Sequence, residues 1–77
     1  MDGFRAYPNP VSDELNIRTA SPMKVAVLRD MTGRELRRVV VDDFSFTLPV
    51  GSLADGVYLL QIQVDNKLIV KKIVVSK

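Results

Sequence analysis

A chain of 77 residues supplies one domain, near the small end of what a single hydrophobic core holds, and too little for a scaffold with a deep catalytic cleft. Its 47% apolar fraction, delivered in short blocks of valine, leucine and isoleucine, excludes disorder, and the lack of cysteine excludes a disulfide framework. Eleven basic residues against nine acidic ones leave a net charge of +2, too even a balance to imply nucleic acid or anionic lipid.

No apolar run approaches the roughly 18 residues of a membrane span, and the N-terminus lacks the basic start and apolar centre of a signal peptide. Met1-Asp2-Gly3 is expected to be the start of an excised piece, with any export signal on a longer parent chain.

In chain order, Phe4-Arg5-Ala6 can make a short first strand, and Tyr7-Pro8-Asn9-Pro10 must end it as a rigid extended bend. Each proline fixes φ, lacks an amide donor and holds its predecessor extended. Val11-Ser12-Asp13 leads into residues 14–18, where Leu15 and Ile17 alternate with polar residues as in a half-buried strand. A turn is expected at Ala20-Ser21-Pro22. Residues 23–29 put Met23, Val25 and Val27 on one face and Ala26 and Leu28 on the other, so both faces are partly covered.

Asp30-Met31-Thr32-Gly33 has the composition of a type I turn closed by a left-handed glycine, the connection of a short hairpin. The return strand is expected over residues 34–41, and its charges, Arg34, Glu35, Arg37 and Arg38, suit an edge protected against pairing with another chain. Phe44-Ser45-Phe46-Thr47-Leu48 alternates cleanly, which predicts Phe44, Phe46 and Leu48 in the core, and Pro49 ends the strand. Residues 50–55 cross over, with at most one helical turn near residues 52–54.

Residues 56–64 read as a strand with Tyr58, Leu60, Ile62 and Val64 facing the core, Asp65-Asn66 as a turn, and residues 67–77 as a second strand running to the last residue. A β-rich, apolar final segment without a polar tail points to the C-terminus itself as the functional part. In the last strand Leu68 and Val70 fit one face while Ile73 and Val75 fit the opposite parity, with Lys71-Lys72 between them. A β-bulge at the lysine pair would restore all four to one face; the alternative is an unbroken strand covered on both sides near its ends, with one lysine snorkelling past the core edge. Leu53-Ala54-Asp55-Gly56-Val57-Tyr58 has the spacing of a tyrosine corner, in which the phenol bonds back to the chain upstream. Short strands separated by frequent turns predict an all-β antiparallel sandwich of about seven strands with essentially no helix.

No histidine and no cysteine occur, so the commonest general base, the thiol nucleophile and the best zinc ligands are missing, and catalysis is not expected. Asp13-Glu14 and Asp42-Asp43 read as solvated turn acids rather than calcium ligands, because adjacent strand residues point to opposite faces. No cofactor is called for. Arg37-Arg38 and Lys71-Lys72 lack the interleaved aromatics of a nucleic-acid platform.

Tyr7-Pro8-Asn9-Pro10-Val11-Ser12-Asp13, then Val27-Leu28-Arg29-Asp30-Met31-Thr32-Gly33, then Leu53-x-x-Gly56-x-Tyr58, and finally Lys71-Lys72-Ile73-Val74-Val75-Ser76-Lys77 come in this order and span nearly the whole chain. Together they closely resemble the type A C-terminal sorting domain of the Bacteroidetes type IX (Por) secretion system. The resemblance implies an immunoglobulin-like sandwich at the C-terminus of a larger exported protein. Such a domain carries its cargo from the periplasm through the outer-membrane translocon to the cell surface, and a sortase-like peptidase then removes it. The implied partners are the translocon, its shuttle proteins and the peptidase, with no nucleic acid and no direct membrane insertion. Pro8, Asn9 and Pro10 match the first motif, Gly56 and Tyr58 the later one, and Lys71, Lys72, Val74, Val75 and Lys77 the terminal signal. Only three residues precede Phe4, so the resemblance locates no cleavage point.

A physical route to recognition is an exposed last strand that pairs with a receptor strand while its lysines select an acidic partner. The rival class is an immunoglobulin-like adhesion or glycan-binding module. Carbohydrate sites present stacking aromatics, whereas this chain has no tryptophan and only Tyr7 and Tyr58, both with structural explanations.

Overall fold

The structure, a computed structural model, describes residues 4–77; Met1, Asp2 and Gly3, expected to begin an excised piece, lie outside the described residues. Five strands are present: β1 (Arg5–Tyr7), β2 (Glu14–Asp30), β3 (Glu35–Pro49), β4 (Gly56–Val64) and β5 (Lys67–Val75). No helix occurs among the described residues. All named strands pair antiparallel, in the order β1-β2-β4-β5, with β3 paired to β2 alone.

The two long strands explain why five are found where about seven were expected. A straight strand of 17 residues would reach roughly 56 Å, yet the longest dimension of the molecule is 31 Å, so β2 has to bend. The bend falls at residues 19–22, where pairing to β3 lapses between Arg18 and Met23. The turn expected at Ala20-Ser21-Pro22 is therefore an extended corner inside one strand. Thr19, buried at that corner, keeps its hydroxyl satisfied by donating to the Ser21 carbonyl. Before the corner β2 pairs with β1 and with residues 45–49 of β3; after it, β2 pairs with β4 and with the first half of β3.

With no helix to cover it, the sheet buries its apolar face only by folding over. Leu15, Ile17 and Leu48 from one side of the corner and Leu28, Leu60, Ile62, Ile73 and Val75 from the other form one buried cluster. A register shift between Met23 and Val25 moves Met23 onto the face of Ala26 and Leu28, so all three are buried together. Val27 is buried on the opposite face, which bears out the expected partial cover of both.

The closing hairpin holds the predicted core face, with Tyr58, Leu60, Ile62 and Val64 all buried. The bulge expected at Lys71-Lys72 is absent: β4 and β5 pair without a shift from Gly56↔Val75 to Val64↔Lys67. Strict alternation leaves Ile73 and Val75 in the core and sends Leu68 and Val70, 58% and 54% exposed, to the outer face. The strand ends at Val75 rather than at Lys77.

Phe44 is also corrected, being 50% exposed. Its parity is that of Leu48, but it lies between Asp43 and Ser45, where the pairing of β3 with β2 lapses and Phe44 has no partner. Phe46 is half-buried against the core and Leu48 fully buried. Residues 50–53 make a hydrogen-bonded turn, Leu53 N–H to Val50 C=O at 3.0 Å, and no helix.

Leu60→Ala removes a fully buried side chain and lowers stability by about 2–5 kcal/mol, whereas Phe44→Ala costs under about 1 kcal/mol. Urea unfolding of the two variants checks the contrast.

Candidate functional site

Pro8 and Pro10 carry no amide hydrogen, so the segment between β1 and β2 cannot bond as an ordinary strand. Asn9 supplies a substitute. Its side-chain nitrogen donates to the Lys72 carbonyl at 3.3 Å, and its side-chain oxygen accepts from the Val74 amide at 3.0 Å. Val11 then takes over with a parallel bridge to Val75, its amide donating to the Val74 carbonyl at 2.8 Å and its carbonyl accepting from Ser76 at 2.9 Å. The outer edge of β5 from residue 72 to residue 76 is thus occupied by the chain's own N-terminal motif.

The loop between β3 and β4 is held from two sides. The Tyr58 hydroxyl donates to the Ala54 carbonyl at 2.5 Å, the tyrosine corner expected from the spacing. The Lys77 ammonium donates to the carbonyls of Gly51 at 2.6 Å and Leu53 at 2.9 Å, and the Lys77 amide donates to the Asp55 carboxylate at 3.2 Å. Lys77 is therefore turned back onto the domain. A Cβ at Gly51 would lie 2.6 Å from the Asp13 carboxylate, so a side chain there would have to push that exposed carboxylate aside. The Val50 amide donates to the Asp13 carbonyl at 2.8 Å, which ties this loop to the entry of β2.

The hairpin at residues 30–34 sits at the same end, with Asp30 directly opposite Tyr58 in the ladder. Gly33 takes φ +92°, the left-handed conformation its turn requires. The Asp30 carboxylate accepts from the amides of Thr32 at 2.9 Å and Arg34 at 3.0 Å and from the Thr32 hydroxyl. The Thr32 hydroxyl first, then those two amides and the Arg34 charge, hold the Asp30 carboxyl below its ordinary range against a partly opposing loss of solvation. Arg38 does the same for Glu35 by hydrogen bond and charge.

All the motifs singled out in the sequence therefore reach one end of the molecule. Gly56 opposes Val75, Tyr58 opposes both Asp30 and Ile73, and Asn9 spans Lys72 and Val74. Val75 is core, Val74 is half-buried, and Pro8 and Pro10 are exposed. Lys71 and Lys72 are exposed but do not form one patch, because they point to opposite faces, opposite Leu60 and Leu59. Val11, Asp13, Gly51 and Asp55 also hold this end, although sequence reading assigned none of them a role of its own: Val11 and Asp13 stood only within the first motif, Asp55 within the tyrosine-corner stretch, and Gly51 as a glycine in a crossover.

A family model described as a secretion system C-terminal sorting domain matches residues 5–76 of the chain. No curated protein matches it.

Asn9→Ala removes two bonds to β5 and Tyr58→Phe removes one to the loop, at about 1 kcal/mol per bond. Each substitution should lower the melting temperature by at least about 4 °C. Acid should act through Asp30: a carboxyl whose folded pKa is depressed contributes stability above its unfolded value and loses it as pH falls through the folded value. The urea midpoint then declines as pH drops below the ordinary 3.8 of an aspartate, and less steeply in Asp30→Asn.

Proposed function

The chain belongs to the secretion system C-terminal sorting domains, the type IX (Por) sorting signals, and from that premise we propose how its parts serve sorting. The domain is a sorting signal that directs export toward the cell surface or extracellular space. In the fuller reading, residues 1–77 are one sorting domain excised from a larger exported protein. Its folded-over sheet is an immunoglobulin-like sandwich that the translocon and its shuttle proteins recognise in the periplasm and that a sortase-like peptidase later removes.

The observation that supports this reading is the meeting of the motif residues at one end. Residues as far apart in sequence as Asn9 and Lys72 are drawn together there, the Asn9 side chain bonding the Lys72 carbonyl, although no core burial requires Asn9, which is exposed. Within that end the residues divide by role. Pro8, Asn9, Pro10, Gly56, Tyr58, Val74, Val75 and Lys77 shape and lock the end, and Lys71 and Lys72 carry what a partner touches. A domain that is handled in this way needs no catalytic group.

A reporter fused ahead of residues 1–77 in a bacterium with a type IX system is expected at the cell surface, and the same fusion lacking residues 74–77 is expected to stay in the periplasm. Surface delivery of the shortened fusion at the parent's level overturns the reading.

A further inference from the structure

Only part of the β5 edge is occupied. In an extended strand the N–H and C=O of a residue point to the same side, and those of alternate residues agree. Val74 and the Lys72 carbonyl face outward to Asn9 and Val11, so the amide of Lys72 and both backbone groups of Val70 and Leu68 face outward too. Among the described residues nothing bonds them, since β5 pairs only with β4 and with Val11.

The same stretch has the features that favour an added strand. It runs without a bulge, contains no proline, and holds two half-exposed apolar side chains, Leu68 and Val70, on one face. Lys67, Lys71 and Lys72 are exposed, none is in an ion pair among the described residues, and no acid lies between residues 67 and 72.

We propose that the free edge of β5 at residues 68–72 is a docking site for an extended strand of a partner protein, one that alternates acidic and apolar side chains. A second copy of this chain is a poor occupant: two β5 edges side by side would bring lysines against lysines. An acidic strand instead sets its acids beside Lys67 and Lys71 on one face and covers Leu68 and Val70 with its apolar residues on the other. That the partner belongs to the secretion machinery rests on the sorting function proposed above; the edge itself does not. The recognition surface accordingly lies upstream of residues 74–77, whose own edge is filled by Asn9 and Val11.

Two arms test this. In the first, the isotope-labelled domain is titrated with a synthetic eight-residue peptide alternating valine and glutamate, and separately with one alternating valine and lysine, while backbone amides are followed by NMR. The glutamate peptide is expected to shift and protect the amides of Leu68, Val70 and Lys72, with about tenfold weaker binding to Lys71→Glu/Lys72→Glu. Equal shifts from both peptides, shifts elsewhere on the domain, or none at all overturn the proposal and leave the lysines as edge protection only.

In the second arm, reporter fusions carry Val70→Pro, which blocks pairing at an amide that bonds nothing in the domain, or the double glutamate substitution, which keeps every backbone donor. Melting curves identify the variants that fold, and if Val70→Pro does not, the charge variant decides. Export is expected to fail for folded variants. Export at the parent's level overturns the edge proposal, whereas a parent fusion that is itself not exported overturns the sorting function and leaves the peptide arm to decide the edge.

Discussion

A sheet with no helix to lie against has to cover its own apolar face, and in this chain that demand falls on β2. Its two halves carry Leu15 and Ile17 into one wall of the core and Ala26 and Leu28 into the other, so the corner at residues 19–22 is what closes the molecule. β3 follows it around, paired on both sides of the corner. β1 extends one wall, while β4 and β5 build out the other. A domain this small has little burial to lose, so the apolar residues that meet across the fold count heavily toward its stability.

Closure also creates the two contrasting stretches of β5. Folding the sheet over brings the segment after β1 alongside the end of β5, where Asn9 and Val11 complete the backbone bonding from residue 72 to residue 76. The segment does not continue along the rest of β5, and among the described residues nothing pairs with the edge nearer the β4–β5 turn. One strand thus has a locked half that stabilises the domain and an open half that carries lysines and exposed apolar side chains. The division rests on what lies beside the strand, not on a break in its alternation.

Much of this was legible in the residues. Local chemistry predicted the Asp30–Gly33 turn, because an aspartate that accepts its successors' amides and a left-handed glycine are properties of four residues. The Tyr58 corner depends on a spacing of four, and the buried face of β4 on a period of two. The order of the family motifs needed no coordinates either. Phe44 is exposed, contrary to its alternation, because alternation gives a side chain's direction but not where pairing with the neighbouring strand lapses. The bulge at Lys71-Lys72 was inferred by assuming that every apolar residue of the strand must be inside; Leu68 and Val70 are not.

The sequence by itself determined the all-β class, most strand and turn positions, and the sorting-domain family, since each depends on residues within a few positions or on motifs in fixed order. Tertiary structure alone decided that β2 and β3 are single bent strands, that Lys77 is tied to the Gly51 and Leu53 carbonyls, and that the β5 edge is half filled. Those outcomes turn on contacts such as Asn9 with Val74, 65 residues apart. Whether such a pair meets is settled only when the whole sheet has folded over on itself.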